Sequence, residues 1–443
     1  MESRLSRAFA ALLERYFPDP FVFAVLMSVI AFVLALSLTD ATVATTLLAW
    51  GNGLPGLMAF TAQIAITLLT AHALAHTDRI QSALGAIGSL PRNAASAYAL
   101  VVVGTAGCSL IAWSLGLVAG ATLARTVAAH CARKQIVIHY PLLVASAYSG
   151  FVVWHMGYSG SAPLFVATEG HSLEAAIGVL PVTSTILTWE NGAVILITVV
   201  ALCLLCPWLR PRDADALPFN PDTTEESSAE HRGGSSTVRL EDQRGLSLLL
   251  GGALWGYVAL LWWQNGFLLT LDLVNWTLLG TGLLFARSLG HYAGLIYQAG
   301  ATVGAIIIQY PFYAGMLGIM TGTGLVNVLA DWFVAVATPA TLGFFAFLAA
   351  GLINLFIPSG GGQWAVQGPV FLEAAARLDV APPVIVMAIA YGDQWTNLIQ
   401  PFWTIPLLAI AGINVRQIIP YCFAALALTG LIFGGAVLLM GSG

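Results

Sequence analysis

Long apolar runs separated by short polar interruptions extend along almost the whole chain of 443 residues. The runs cover roughly 21–38, 54–76, 95–128, 140–153, 181–206, 246–264, 266–286, 289–330, 338–357, 384–412 and 418–440. A helix needs about 20 apolar residues to cross the hydrocarbon core of a bilayer, so the pattern predicts an all-α polytopic membrane protein with about 10–12 membrane segments. The lipid bilayer is therefore an expected partner.

A hydrophilic stretch interrupts this pattern near the middle of the chain. Of the 16 basic and 21 acidic residues, thirteen lie between Arg210 and Arg244. Proline, serine and glycine are also frequent there, which is typical of a flexible loop in solvent. We interpret residues 1–206 as a first membrane repeat, 207–245 as a hydrophilic linker and 246–443 as a second membrane repeat.

The composition excludes several classes of protein. Only 8% of the residues are charged, against about 25% in soluble proteins, so an ordinary soluble enzyme is excluded. The net charge of −5 with dispersed arginines gives no basic patch for nucleic acid. The Cys203-x-x-Cys206 pair lacks a second pair or a nearby histidine, so it does not indicate a metal site. We predict no cofactor and no catalytic residue. Three N-terminal arginines, Arg4, Arg7 and Arg15, predict a cytoplasmic N-terminus.

Two glycine-rich interruptions recur in the two halves. WHMGYSGSAPLFVATEG (154–170) and FIPSGGGQWAVQGPVFLEAA (356–375) are each followed by an apolar run with polar residues inside it. Gly157 precedes Glu190 by 33 residues, and Gly360 precedes Asp393 by 33, an offset of 203 between the halves. Transporters are often built from inverted repeats. We therefore predict two inverted repeats, each with a re-entrant helical hairpin (near 154–178 and 356–380) and a broken helix (181–206 and 384–412).

Irregular backbone at membrane depth is tolerated where it lines protein, water or a ligand. Glycines let a ligand approach the chain, and a helix that begins after the break directs its N–H groups towards an anion. The competing interpretation is that these small residues only allow helices to pack closely. No Arg or Lys lies in 154–170, 182–192, 356–375 or 391–403, which favours a monoanion as the substrate. The predicted substrate-binding residues are Gly157, Tyr158, Ser159, Gly160, Ser161, Ser359, Gly360, Gly361, Gly362, Gln363, Trp364, Trp395, Thr396 and Asn397.

Ionisable residues deep in a membrane are costly and are candidates for function. Asp393, Glu190 and His155 fall within these segments, and we predict that they couple transport to an ion, either H⁺ or Na⁺. The alternative for the two acids is a hydrogen-bonding role in a broken helix. The alternative for His155 is a satisfied histidine at a helix end.

Four motifs together resemble the bacterial short-chain fatty acid transporter family: RYFPDPFVFAVL, WHMGYSGSAPL, IPSGGGQWAVQGP and GDQWTNLIQPFW. The resemblance implies carriage of a small carboxylate, such as acetoacetate or butyrate, across the inner membrane by an elevator-like movement. The resemblance places the site at 157–163, 359–364 and 393–397. The family is placed in a larger superfamily of anion transporters, which implies a homodimer. Sodium-coupled members of that superfamily often carry Ser-Asn-Thr at the hairpin tips. Its absence here favours protons.

Other functions remain open from the sequence. Gly157-Tyr158-Ser159-Gly160 matches an element around the nucleophile of intramembrane serine proteases, which would also need a histidine base. A carrier of another small anion, of an amino acid bound through Asp393, or an ion antiporter would share the same architecture. A C4-dicarboxylate would require a cation near the glycine-rich interruptions, and 154–170 and 356–375 contain no Arg or Lys.

Overall fold

The computed structural model describes residues 20–219, 240–300, 303–355, 357 and 359–441. Within these residues every regular element is a helix. The helices before the linker are α1 (Pro20–Leu38), α2 (Val43–Gly53), α3 (Met58–Ala75), α4 (Asp78–Gly88), α5 (Ala94–Ile111), α6 (Trp113–Arg133), α7 (Tyr140–Gly150), α8 (Ser161–Val166), α9 (Glu174–Ile177) and α10 (Trp189–Trp208). Short 3₁₀ turns follow α2 at Leu54–Leu57 and α7 at Phe151–Met156, and another lies at Val182–Ser184.

The helices after the linker form a second series. They are α11 (Arg244–Asn265), α12 (Leu271–Phe285), α13 (Leu289–Gly300), α14 (Val303–Gly322), α15 (Leu325–Val336), α16 (Pro339–Asn354), α17 (Gly360–Leu378), α18 (Pro382–Asn397), α19 (Pro401–Ala411) and α20 (Val415–Gly441). Several of the largest wholly buried side chains lie on α7, on the turn after it, on α17 and on α18: Tyr148, Trp154, Trp364 and Tyr391. These helices therefore form the centre of the protein.

The described helices fit a multi-pass membrane protein. Six are long and apolar enough to cross a bilayer, or seven if the pair around a 76° bend at 307–336 is one span. Only 17% of the apolar window of α11 is buried in the protein, against 72% for α6. The exposed apolar surface of α11 suits contact with lipid, whereas α6 lies inside. The all-α polytopic class is confirmed, and the figure of 10–12 segments stays a prediction.

Helices α5 and α6 form an antiparallel hairpin with its tip at Ala112. Ala112 is extended (φ −156°, ψ 133°) and separates the two helices. Small residues face each other across the hairpin: a Cβ on Gly116 would lie 2.8 Å from the Ser109 Cα, and one on Gly120 would lie 2.6 Å from the Thr105 Oγ1. The two legs therefore approach closely because these positions have no side chain.

Helices α16 and α17 form a second antiparallel hairpin. The Gln363 side chain donates to the Ala350 carbonyl (2.9 Å), and one turn further on Gln367 donates to the Ala346 carbonyl (3.0 Å). The hairpin turns between α16 and Ser359, whose Oγ caps α17 by accepting the Gly362 N–H (3.3 Å). The predicted hairpin near 356–380 thus corresponds to the second leg, and the first leg begins at Pro339.

The first predicted hairpin differs from the structure. Residues 154–178 contain the end of the 3₁₀ turn after α7, a break at 157–160, and the short helices α8 and α9. The glycines indicate a break in the chain, but this break interrupts a helix rather than joining two long antiparallel legs. In the predicted broken helix 181–206 the irregular part lies before α10, at 181–188, and in 384–412 it lies at 398–400.

The order of elements recurs in the two halves with a spacing other than 203. Met58 and Val303, which begin α3 and α14, are 245 positions apart, as are Ala94 and Pro339, which begin α5 and α16. This pairs the hairpin α5–α6 with α16–α17, and the broken helix α7–α8 with α18–α19. The division into repeats at 207–245 and their inverted relation stay predictions.

We predict that Gly116→Ala destabilises the protein. The new Cβ would overlap the Ser109 backbone, and overpacking of this kind costs about 1–3 kcal/mol. The melting temperature in detergent should fall by several degrees. Gly107→Ala in the same hairpin is the matched control, because nothing lies within 4 Å of its Cβ position. Equal melting temperatures for the two variants would contradict the close packing of the hairpin.

Candidate functional site

The two broken helices meet at a buried pair of ionisable side chains. His155 lies in the 3₁₀ turn that ends α7, and Asp393 lies near the end of α18. The His155 Nδ1 and the Asp393 Oδ2 are 3.2 Å apart, and both side chains are wholly buried. Among the described residues Asp393 is the only buried carboxyl, and no Lys or Arg is buried. The other buried histidines in that part of the chain are His139 and His171.

Further hydrogen bonds join the two breaks around this pair. The Trp154 Nε1 donates to the Asn397 Oδ1 (2.9 Å), and the His155 backbone N–H donates to the Gln394 Oε1 (3.0 Å). Asn397 in turn donates to the Gln400 Oε1 (3.1 Å). Consecutive residues of the first half are thus held by residues of the second half. The His155 N–H in the first break is satisfied by a side chain of α18.

The tip of the first hairpin holds the first break. The Tyr158 N–H donates to the Leu110 carbonyl (2.6 Å), and the Trp113 N–H donates to the Ser159 Oγ (3.0 Å). A Cβ on Gly157 would lie 2.6 Å from the Leu110 Cα. The glycine of the predicted motif therefore allows the tip of the α5–α6 hairpin to contact the break directly.

The tip of the second hairpin contacts the ionisable pair itself. A Cβ on Gly360 would lie 2.7 Å from the Asp393 Oδ2 and 2.9 Å from the His155 Cε1. Asn354, at the end of α16, donates to the Asp393 carbonyl (2.7 Å) and to the Thr396 Oγ1 (2.9 Å). The pair therefore lies at the junction of the second hairpin and both breaks.

Several buried polar atoms at this junction have no hydrogen-bond partner. More than 90% of buried polar groups in proteins are hydrogen-bonded, so a concentration of unpaired ones indicates a ligand site. The Nδ1 and Oδ2 of the pair belong to this group despite their 3.2 Å separation, because their approach is not aligned as a hydrogen bond. The unpaired atoms are His155 Nδ1, Asn354 Oδ1, Gln363 Oε1, Trp364 Nε1, Asp393 Oδ2 and Gln394 Nε2. We call these six residues the junction cluster.

The structure places some predicted residues away from the junction cluster. The Tyr158 hydroxyl pairs with the Thr277 Oγ1 on α12 (2.7 Å). Trp395 stacks on Phe347, with ring centroids 4.9 Å apart, and its Nε1 donates to a carbonyl of α20. Glu190 lies in the first turn of α10 and is partly exposed. Neither of these aromatic side chains nor Glu190 belongs to the cluster.

The remaining predicted residues lie at the tips or beside the cluster. Gly160 and Ser161 are buried at the end of the first break, next to His155. Gly361 packs on the Phe60 ring, and Gly362 packs on the Tyr313 ring. Thr396 donates to the Gly351 carbonyl (2.9 Å) and links α18 to α16.

The sequence did not indicate three residues that build the junction. Asn354 is a single polar residue in an apolar run, and only its contacts with α18 give it a role. Tyr148 donates to the Asn397 carbonyl, and Tyr310 accepts from the Ser359 Oγ (2.9 Å). Each of the three contacts a residue that is far away in the sequence, so no local motif indicates its role.

A small cavity lies beside the second hairpin tip. It has a volume of about 100 Å³ and is lined by residues from α3, α8 and the segment 168–172, including Phe60, Gln63 and Glu169. Phe60 also packs on Gly361 and makes an edge contact with Phe165 (ring centroids 5.0 Å apart). Phe60 therefore separates this cavity from the hairpin tip.

Two packed hairpins and unpaired polar atoms where two broken helices meet, in an all-helical multi-pass protein, are features typical of membrane transporters. Solved structures share this fold. The YdaH transporter of Alcanivorax borkumensis superposes with a TM-score of 0.61 at 16% identity. The match covers 94% of this chain and 98% of the YdaH chain. MtrF of Neisseria gonorrhoeae, described within a class of antimetabolite efflux pumps, gives 0.56 at 14% identity over 98% and 97%.

Sequence comparison identifies the family. The family described as "Short chain fatty acid transporter" matches residues 1–440. Proteins named "Putative short-chain fatty acid transporter" from Escherichia coli (strain K12) and Haemophilus influenzae are 36% and 34% identical over 98% of each chain. The chain belongs to the short-chain fatty acid transporter family, which confirms the resemblance noted from its motifs.

Membership of this family also decides between enzyme and carrier. The family and the two relatives are transporters, so the intramembrane protease interpretation is wrong. The Ser159 Oγ is instead a hydrogen-bond acceptor for the tip of the first hairpin. Its role in the fold accounts for the protease-like motif.

We predict that Gly360→Ala strongly lowers transport. The added methyl group would displace the Asp393 carboxyl and the His155 ring. Uptake of labelled substrate should fall at least tenfold in proteoliposomes. Gly192→Ala is the matched control, because it lies near Glu190 with nothing within 4 Å of its Cβ position. Wild-type uptake by Gly360→Ala would show that the junction tolerates the methyl group and is not the site.

Proposed function

We propose that the protein is a secondary active transporter that carries short monocarboxylates, such as acetoacetate or butyrate, across the bacterial inner membrane. The observation that carries this proposal is the buried contact between His155 and Asp393 at the junction of both breaks. The names of the relatives support the substrate class. The unpaired atoms of the junction cluster support the location of the substrate.

The chemistry of the cluster favours a small monoanion. Its unpaired donors include Trp364 Nε1 and Gln394 Nε2, which can donate hydrogen bonds to a carboxylate oxygen. No Lys or Arg is buried among the described residues. A dianion would need such a charge partner, because burial of an unpaired charge costs several kcal/mol. Buried aromatic and aliphatic side chains around the cluster suit a short alkyl chain.

Asp393 is the proposed coupling residue, and the proton is the proposed coupling ion. An ionised Asp393 would repel a bound carboxylate at short range, and protonation removes that repulsion. Proton binding and substrate binding then support each other, which is the condition for coupling. A sodium ion at the Asp393, Asn354 and Gln363 oxygens is the alternative, and the assay below separates the two.

An elevator-like movement of the hairpins and broken helices relative to the other helices would carry the site across the membrane. Polar contacts hold together α3 and α12, which belong to these other helices. Gln63 donates to Asp272 (2.9 Å), and Asn275 donates to the Gln63 carbonyl (2.9 Å). The homodimer, the inner-membrane location and the cytoplasmic N-terminus also belong to this proposal. Arg4, Arg7 and Arg15, on which the orientation rests, lie outside the described residues.

We predict opposite results for two carboxylates that were both candidates for coupling. Asp393→Asn should abolish the stimulation of butyrate uptake by an inward proton gradient, because the amide cannot take up a proton. Glu190→Gln should keep that stimulation, because Glu190 is partly exposed in the first turn of α10. The measurement is uptake of labelled butyrate and acetoacetate into proteoliposomes under a pH gradient or a sodium gradient.

Protein-free liposomes control for undissociated acid that crosses the lipid unaided, and unlabelled dicarboxylates and amino acids are tested as competitors. If Asp393→Asn keeps the wild-type response to the gradient, Asp393 is not the coupling residue. If only the sodium gradient stimulates uptake, sodium is the coupling ion and not the proton. Absence of saturable uptake of either acid by folded protein would contradict the substrate class.

A further inference from the structure

The protonation of His155 is fixed by the backbone. The Ala162 N–H donates to the His155 Nε2 at 3.0 Å, and both residues are buried. A backbone N–H can only donate, so Nε2 is the acceptor and carries no proton. The single proton of a neutral imidazole must then be on Nδ1, the nitrogen that lies 3.2 Å from the Asp393 Oδ2.

The geometry of the first break maintains this hydrogen bond. The Gly160 N–H donates to the Gly157 carbonyl (3.0 Å), which folds residues 157–160 into a tight turn. A Cβ on Gly160 would lie 2.5 Å from the His155 carbonyl, so the turn needs a glycine there. The turn brings Ala162 back over the imidazole ring. Protonation of Nε2 would require this turn to open.

Few other groups can balance a charge beside Asp393. From the helices packed around it, His155 faces the carboxyl from the first break, and the Tyr310 hydroxyl of α14 binds the Ser359 Oγ next to Gly360. Gly360 of α17 contributes only backbone, and Asn354 of α16 contributes a neutral amide to the backbone of α18. A carboxylate bound there has no buried cation among the described residues to neutralise it.

We infer that His155 is a neutral positioning residue and that Asp393 binds the single transported proton, so that one proton moves with each monocarboxylate and transport is electroneutral. This inference rests on the proposed function and concerns its stoichiometry. In the loaded state, the protonated Asp393 donates to the substrate carboxylate, and the His155 Nδ1–H orients the Asp393 carboxyl. No bond is made or broken other than the transfer of this proton to and from water on each side.

Wild-type protein in proteoliposomes provides the direct test. Labelled butyrate uptake is measured with an inward pH gradient, with a potassium diffusion potential set by valinomycin, and with both. A pH-sensitive dye in the lumen counts protons against butyrate. We expect a strong response to the pH gradient, less than a twofold change with a potential of either sign, and a ratio of one proton to one butyrate.

A matched pair of variants tests the role of His155. His155→Gln keeps one donor and one acceptor without a titratable group, whereas His155→Ala removes both. We expect His155→Gln to lower the uptake rate by about tenfold, the effect of one misplaced hydrogen bond, with the pH profile and the one-to-one ratio unchanged. His155→Ala should lose more, and Asp393→Asn should lose the proton ratio altogether.

Each result has a defined meaning. Uptake that follows the membrane potential, or two protons per butyrate, overturns the electroneutral inference but leaves the carrier and its substrate in place. Loss of proton movement in His155→Gln with butyrate still carried would make His155 the proton carrier and also overturn it. If a variant does not fold, the measurement on the wild-type protein still decides. Absence of butyrate uptake by folded wild-type protein contradicts the proposed function itself.

Discussion

The buried contact between His155 and Asp393 is the interaction on which the arrangement of this protein depends. A carboxyl group surrounded by protein and lipid is costly unless it is neutral or hydrogen-bonded. The chain surrounds this one with the ends of broken helices, where backbone and amide groups are available, and it omits a side chain at Gly360 so that the second hairpin can reach it. The site therefore forms where the two breaks meet.

The hairpins explain how such breaks can exist inside a membrane protein. Backbone groups that leave a helix in hydrocarbon need partners within the protein. The tip of the α5–α6 hairpin supplies a carbonyl and an N–H to the first break, at Tyr158 and Ser159. Asn354, at the tip of the α16–α17 hairpin, supplies an amide to α18 and accepts from Gln400. Each half thus uses its hairpin tip to satisfy its own broken helix, while the two breaks bind each other.

The sequence predicted the chemistry of the site better than its construction. His155 and Asp393 stand out in the sequence because ionisable residues are rare in apolar segments, and the glycines 360–362 stand out because they interrupt such a segment. The first hairpin was missed because its tip, at Ala112, lies between apolar residues and has no glycine or proline to mark it. Glu190 lies in the first turn of α10 and is partly exposed, so it does not join the cluster. Trp395 was assigned to the site because spacing alone does not show which side of α18 faces the other break.

Transport by this mechanism requires that a monocarboxylate binds at the junction cluster. The most direct measurement is a cryo-EM structure of the protein with butyrate, compared with one obtained without it. We expect density for a carboxylate within hydrogen-bond distance of Asp393 and Gln394, with His155 still accepting the Ala162 N–H. Butyrate bound elsewhere, for example in the cavity beside Phe60, with the junction closed and unchanged, would contradict the central claim.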